Sequence, residues 1–131
     1  NPVKTFTKKR IQEWGLRPGL PIGCKLTLRK EKALDLLKRL LEAKDNTLQD
    51  SNLDNEGNVS FGISEYIDIP GVNYYPDIGI MGFQVCITLK RKGFRIKRRI
   101  LKRREIPRIN RIKKEEAIDF MKKNFNLKVG E

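Results

Sequence analysis

The chain has 131 residues, 38% of them apolar and 34% charged, enough for one domain with a modest core. Its formal charge of +13 points to a polyanionic partner, and no apolar run of about 18 residues exists to span a membrane. No signal-peptide core is visible, the lack of histidine removes the commonest acid–base catalyst, and two cysteines alone do not make a zinc site.

Residues 1–19, NPVKTFTKKRIQEWGLRPG, are basic and end in Pro18–Gly19, a pair suited to a tight turn. Ile22, Cys24, Leu26 and Leu28 then alternate with Gly23, Lys25, Thr27 and Arg29, which predicts a strand. Its apolar face is expected on a core, and its other face carries cations, a hydroxyl and a glycine. From 31 to 44 the period becomes helical: Leu34, Leu37 and Leu41 form a stripe that Ala33, Leu36 and Leu40 widen. The polar stretch AKDNTLQDSNLDNEGN reads as a loop.

Alternation resumes in NVSFGIS, with Val59, Phe61 and Ile63 opposite Asn58, Ser60, Gly62 and Ser64. YIDIPG reads as extended up to Pro70–Gly71, and VNYYPDIGI as a loop or short helical turn. GFQVCITL alternates once more, Phe83, Val85, Ile87 and Leu89 against Gly82, Gln84, Cys86 and Thr88. A last helix is predicted in KKEEAIDFMKKNF, with Ala117, Ile118, Met121 and Phe125 as its stripe. Cys24 and Cys86 are expected as small buried side chains. Three strands of shared design and two amphipathic helices predict an α+β, two-layer sandwich, mainly antiparallel, with the helices on one face. The opposite face is either a nucleic-acid platform or an ordinary solvated surface.

The charge is segregated along the chain. Residues 1–30 carry eight Lys/Arg against Glu13, residues 31–89 carry four against ten acids, and residues 90–114 carry fourteen against Glu105 alone. The last of these blocks is expected to stay unfolded at low salt until phosphates neutralise it. It is read as a phosphate-binding arm, a solvated loop and a nuclear-targeting signal being the other readings; a polybasic membrane anchor lacks a lipidation signal. Trp14, among Lys8, Lys9, Arg10 and Arg17, suits stacking on a base and suits burial in a core equally.

Other motifs point nowhere catalytic. The glycines of IPGVNYYPDIGIMG match no phosphate-loop spacing and read as turns. Glu115 and Glu116 are adjacent, so they diverge on a helix and favour its N-terminus through the dipole. Asp50, Asp54 and Glu56 do not follow an EF-hand. No cofactor is implied.

The order of segments resembles a known family. TKKRIQEWGLRPGLPIGCKLTLRKEKA, GNVSFGISEYIDIPGV, YYPDIGIMGFQVCITLKRKGF and KKEEAIDF look like the 5S rRNA-binding ribosomal proteins of the large subunit, the L-five family, in its archaeal form. The resemblance implies a cytoplasmic, non-enzymatic ribosomal protein that attaches 5S rRNA to the central protuberance. It also implies contact with P-site tRNA and a bridge toward the small subunit. Large-subunit rRNA and neighbouring ribosomal proteins are the further partners, with no membrane contact.

On this resemblance Trp14, Arg17 and Thr27 correspond to positions that touch 5S rRNA, and bacterial relatives place Phe at Trp14. Lys8, Lys9 and Arg10 match a loop that approaches P-site tRNA. It also implies residues ahead of Asn1, carrying a strand and further 5S contacts. Lys25 and Arg29 are expected to hold phosphates, together with Lys90, Arg91, Arg95, Lys97, Arg98 and Arg99. Lys102, Arg103, Arg104, Arg108 and Arg111 complete that set. The whole chain is expected to be a single RNA-binding domain with 90–114 as a basic insertion. One other function stands beside this one, a basic RNA-binding regulator or chaperone outside the ribosome; an RNA-modifying enzyme finds no support, since no nucleophile–base pair or metal cluster is visible in the sequence.

Overall fold

Leucine spacing, carboxylates and turn chemistry each leave a visible mark on the computed structural model, which describes residues 1–130. Two compact units form, Asn1–Leu36 and Leu37–Glu131. The boundary falls within helix α1, Glu31–Glu42.

In the first unit, strand β1 (Val3–Phe6) pairs antiparallel with β2 (Pro21–Lys25), Val3 opposite Lys25 and Thr5 opposite Gly23. A side chain at position 23 would meet Thr5 Oγ1 at 3.0 Å, which suits glycine there. The strand predicted through Leu28 stops at Lys25. The next position across the ladder is Pro2, which has no N–H to continue it. Ile22 and Leu26, assigned from alternation to a core face, are 58% and 53% exposed, and Cys24 is also exposed. A two-stranded ladder of four and five residues has too little surface to cover a face.

In the second unit, Leu37, Leu40 and Leu41 of α1 are buried as the stripe requires, while Leu34, in the part of α1 assigned to the first unit, is exposed. Strand β3 (Thr47–Gln49), inside the stretch read as loop, buries Leu48 and pairs parallel with β6 (Lys128–Gly130). Strand β4 (Asn58–Ile63) pairs antiparallel with β5 (Phe83–Thr88), Asn58 opposite Thr88 and Ile63 opposite Phe83. Val59, Phe61 and Ile63 are buried, whereas Val85 and Ile87 across from them are only half-buried. Between these strands, Tyr66–Asp68 forms a 3-10 turn where extended chain is expected.

Helix α2 (Arg95–Arg98) is short. Helix α3 (Lys114–Phe125) starts with Glu115 and Glu116 in its first turn and buries Ala117, Met121 and Phe125. It ends at Asn126, whose N–H still donates to the Lys122 carbonyl and whose left-handed φ of 51° turns the chain out of the helix. The fold is α+β, as predicted. Its strands form three two-stranded ladders, two antiparallel and one parallel, in place of one sheet. The apolar core lies in the second unit, where the buried faces of α1, β4 and α3 supply most of it.

Candidate nucleic-acid interface

Two basic surfaces result, one in each unit. In the first, Thr7 N–H donates to the Leu20 carbonyl at 2.9 Å and Gly19 N–H to the Thr7 carbonyl at 3.0 Å, holding the stem of a loop. Beyond it Ile11 and Leu16 exchange backbone hydrogen bonds at 3.1 and 2.9 Å, leaving Gln12–Gly15 as a turn closed by Gly15 N–H on the Gln12 carbonyl. Gly15 has φ +64°, a conformation glycine adopts without strain.

Trp14 lies in this turn with 72% of its surface in water. Of the two readings of this residue, the structure excludes burial in a core. Lys8, Lys9 and Arg10 precede the turn and Arg17 follows it, all exposed. The Thr7 hydroxyl, in a buried residue, donates to the Lys9 carbonyl at 2.9 Å and fixes the backbone of the basic triplet. Lys25 ends β2, and Thr27 and Arg29 follow in non-strand chain, exposed. Thr27 therefore does not sit on a sheet face, contrary to the alternation.

In the second unit the polar face of the β4–β5 ladder is open. Ser60 faces Cys86 and Gly62 faces Gln84 across the register, and with Asn52 they line a shallow concavity. Cys86 is exposed on this face, so the expected burial of both cysteines does not occur. Alternation places Cys86 with the polar set; Cys24 falls in the apolar set, but the ladder that carries it exposes that face.

The basic segment 90–114 leaves β5 and returns to α3. At its start Leu89 N–H donates to the Gly57 carbonyl at 3.1 Å. At its end the Ile112 side chain lies 2.9 Å from where a Cβ would stand on Gly57, whose φ is +79°. Both ends thus meet at one turn that only glycine fits.

Ion pairs and hydrogen bonds brace the segment within itself and against its neighbours. Arg91 pairs with Glu116 at 2.7 Å, Arg111 with Glu105 at 3.2 Å, and Lys114 with Asp50. Arg111 Nε also donates to the Ile106 carbonyl, Arg103 Nε to that of Lys97 and Arg99 Nε to that of Lys102. A planar guanidinium with five donors can brace backbone carbonyls and still present a free edge, which offsets part of the repulsion between like charges. Lys90, Lys97 and Arg98 surround Phe94, their charged groups 6.0, 5.9 and 5.2 Å from the ring centre.

Every basic residue singled out in this segment is exposed, from Lys90, Arg91, Arg95, Lys97, Arg98 and Arg99 through Lys102, Arg103 and Arg104 to Arg108 and Arg111. Phe94 went unnoticed in the sequence, although cations at i−4, i+3 and i+4 surround it there. The hollow beside it, about 210 Å³ with Glu56 and Glu105 in its wall, is smaller than the roughly 300 Å³ at which small-molecule pockets begin. Among the described residues no group of three metal-ligating side chains occurs, and no helix is long and apolar enough to cross a membrane. Asp54 instead accepts from the Asn55 N–H and the Asn58 amide.

Fold and surface define a small basic α+β protein whose cations and one tryptophan are presented to solvent. Residues 21–108 match the family model for the C-terminus of the ribosomal L-five (uL5) proteins. The chain is 52% identical over 130 residues to the large ribosomal subunit protein uL5 of Sulfolobus acidocaldarius, covering 99% of this chain and 73% of that one. Its identity to uL5 of Methanosphaera stadtmanae is 48% over 128 residues (98% and 76% covered), and to uL5 of Sulfurisphaera tokodaii 49% over 131 (99% and 74%). The chain belongs to the ribosomal L-five family, a family of ribosomal proteins and not of enzymes.

Proposed function

We propose that the chain is a structural component of the large ribosomal subunit that binds 5S rRNA and holds it in the central protuberance. On this reading it also contacts P-site tRNA through Lys8, Lys9 and Arg10, bridges toward the small subunit, and touches large-subunit rRNA and neighbouring ribosomal proteins. The observation that carries it is the match, over nearly the whole chain, to proteins named for the large subunit.

The surface chemistry supports it. A solvent-exposed indole beside Arg17 suits stacking on an unpaired base, and exposed Lys25, Thr27 and Arg29 suit phosphates and ribose hydroxyls. The segment 90–114 supplies phosphate contacts whose binding releases counterions.

The test is titration of 5S rRNA, beside an unrelated structured RNA of equal length, over a range of salt. The expected result is tighter binding to 5S rRNA, with the logarithm of affinity falling linearly with the logarithm of salt. Equal affinity for the two RNAs would end the specific claim.

A further inference from the structure

The apex of the basic segment is apolar. After α2 the chain turns at Leu101–Lys102 and runs back beside the helix, because Arg104 N–H donates to the Ile96 carbonyl at 3.3 Å and Arg103 Nε to the Lys97 carbonyl at 2.8 Å. Arg99 Nε donates across the turn to the Lys102 carbonyl at 3.0 Å. Lys102 holds a left-handed φ of 51° that completes it. Ile100 and Leu101 project from this braced apex with 96% and 81% of their surfaces in water.

We infer that Ile100 and Leu101 form a wedge that inserts beside an unstacked base of ribosomal RNA. The inference rests on the RNA-binding reading above and adds to it a site outside the Trp14 region. Two bulky aliphatic side chains kept in water lose a large hydrophobic gain unless something covers them. The charge around them selects the occupant. Arg98, Arg99, Lys102, Arg103 and Arg104 flank the pair on both sides in sequence and are exposed. An apolar protein surface would leave these cations without partners. RNA offers apolar base faces between rows of phosphates, the complement of aliphatic side chains between rows of cations. The hydrogen bonds across the turn order the apex before binding, so less conformational freedom is lost when RNA is engaged.

The test compares the whole chain with an I100S/L101S variant on purified 5S rRNA and on deproteinised large-subunit rRNA from an archaeal relative. Affinity, its salt dependence and the chemical reactivity of base faces are read for both. Positions so exposed tolerate serine, and circular dichroism checks the fold.

The wild-type chain should make at least one base newly reactive. The variant should lose that reactivity and bind roughly tenfold or more weakly, with an unchanged salt slope. K97A should do the reverse, keeping the reactive base while reducing the slope by about one. A variant that binds both RNAs with wild-type affinity and the same reactivity overturns the wedge while leaving the RNA-binding reading intact. The same holds if the variant keeps RNA binding and loses only a ribosomal protein during subunit reconstitution. Should the wild-type chain bind neither RNA better than an unrelated one, both readings fall.

Discussion

Met121 and Gly57 illustrate how single residues are held by different forces. Met121 is completely buried, and replacing it with alanine removes apolar contacts and leaves a cavity. Met121→Ala should cost about 2–5 kcal/mol in chemical denaturation, with the slope against denaturant unchanged. Gly57 is held by backbone geometry, through its φ of +79°, and by Ile112 pressing on it. Gly57→Ala should therefore destabilise by more than about 1 kcal/mol and disturb both ends of the 90–114 segment. Ile112→Val should not rescue it, because valine keeps the Cβ and Cγ2 atoms that press on the site and the backbone strain remains. On the proposed reading Trp14, exposed to solvent, serves RNA binding and adds little to stability. Trp14→Ala should leave the unfolding midpoint within experimental error and weaken 5S rRNA binding by roughly 5- to 150-fold, the range of base–aromatic stacking.

At the scale of elements, helix α3 is set by local chemistry at both ends. Glu115 and Glu116 lie in its first turn, Lys122 and Lys123 in its last, and Asn126 turns left-handed to close it. Asn126→Gly should be neutral to slightly stabilising and Asn126→Ala should cost about 1 kcal/mol, a difference that thermal unfolding resolves. The Arg91–Glu116 pair tethers the start of the basic segment to this helix, yet both side chains are about half exposed. Glu116→Gln should thus change stability by less than about 1 kcal/mol. It should raise RNA affinity slightly by freeing the Arg91 guanidinium, and if affinity fell instead, Glu116 would be orienting Arg91 for RNA.

Across the whole molecule, charge and core are divided between regions. The buried apolar side chains lie between Leu37 and Leu127, while the cations concentrate in residues 1–30 and 90–114. Stability and RNA affinity should consequently respond to different mutations and different solvents. Raising salt from about 50 to 200 mM should lower RNA affinity by orders of magnitude if six or more phosphates are engaged, with little effect on the denaturation midpoint. Parallel loss of both would mean that the fold itself depends on the neutralised arm.

The periods of the sequence were enough to find α1, α3, β4 and β5 and to name most of the core, because a buried face must repeat with the geometry of its element. The segregated charge was equally legible, since net charge per segment needs no coordinates. Three features needed tertiary structure. Ile22, Cys24 and Leu26 alternate as a buried face does, but whether such a face is covered depends on which chain lies against it. The strands β3 and β6, three residues each, are defined only by their pairing with one another, more than seventy positions apart in sequence. The order of the basic segment arises from arginine donors reaching particular carbonyls and carboxylates, distances that a one-dimensional count of charges does not contain.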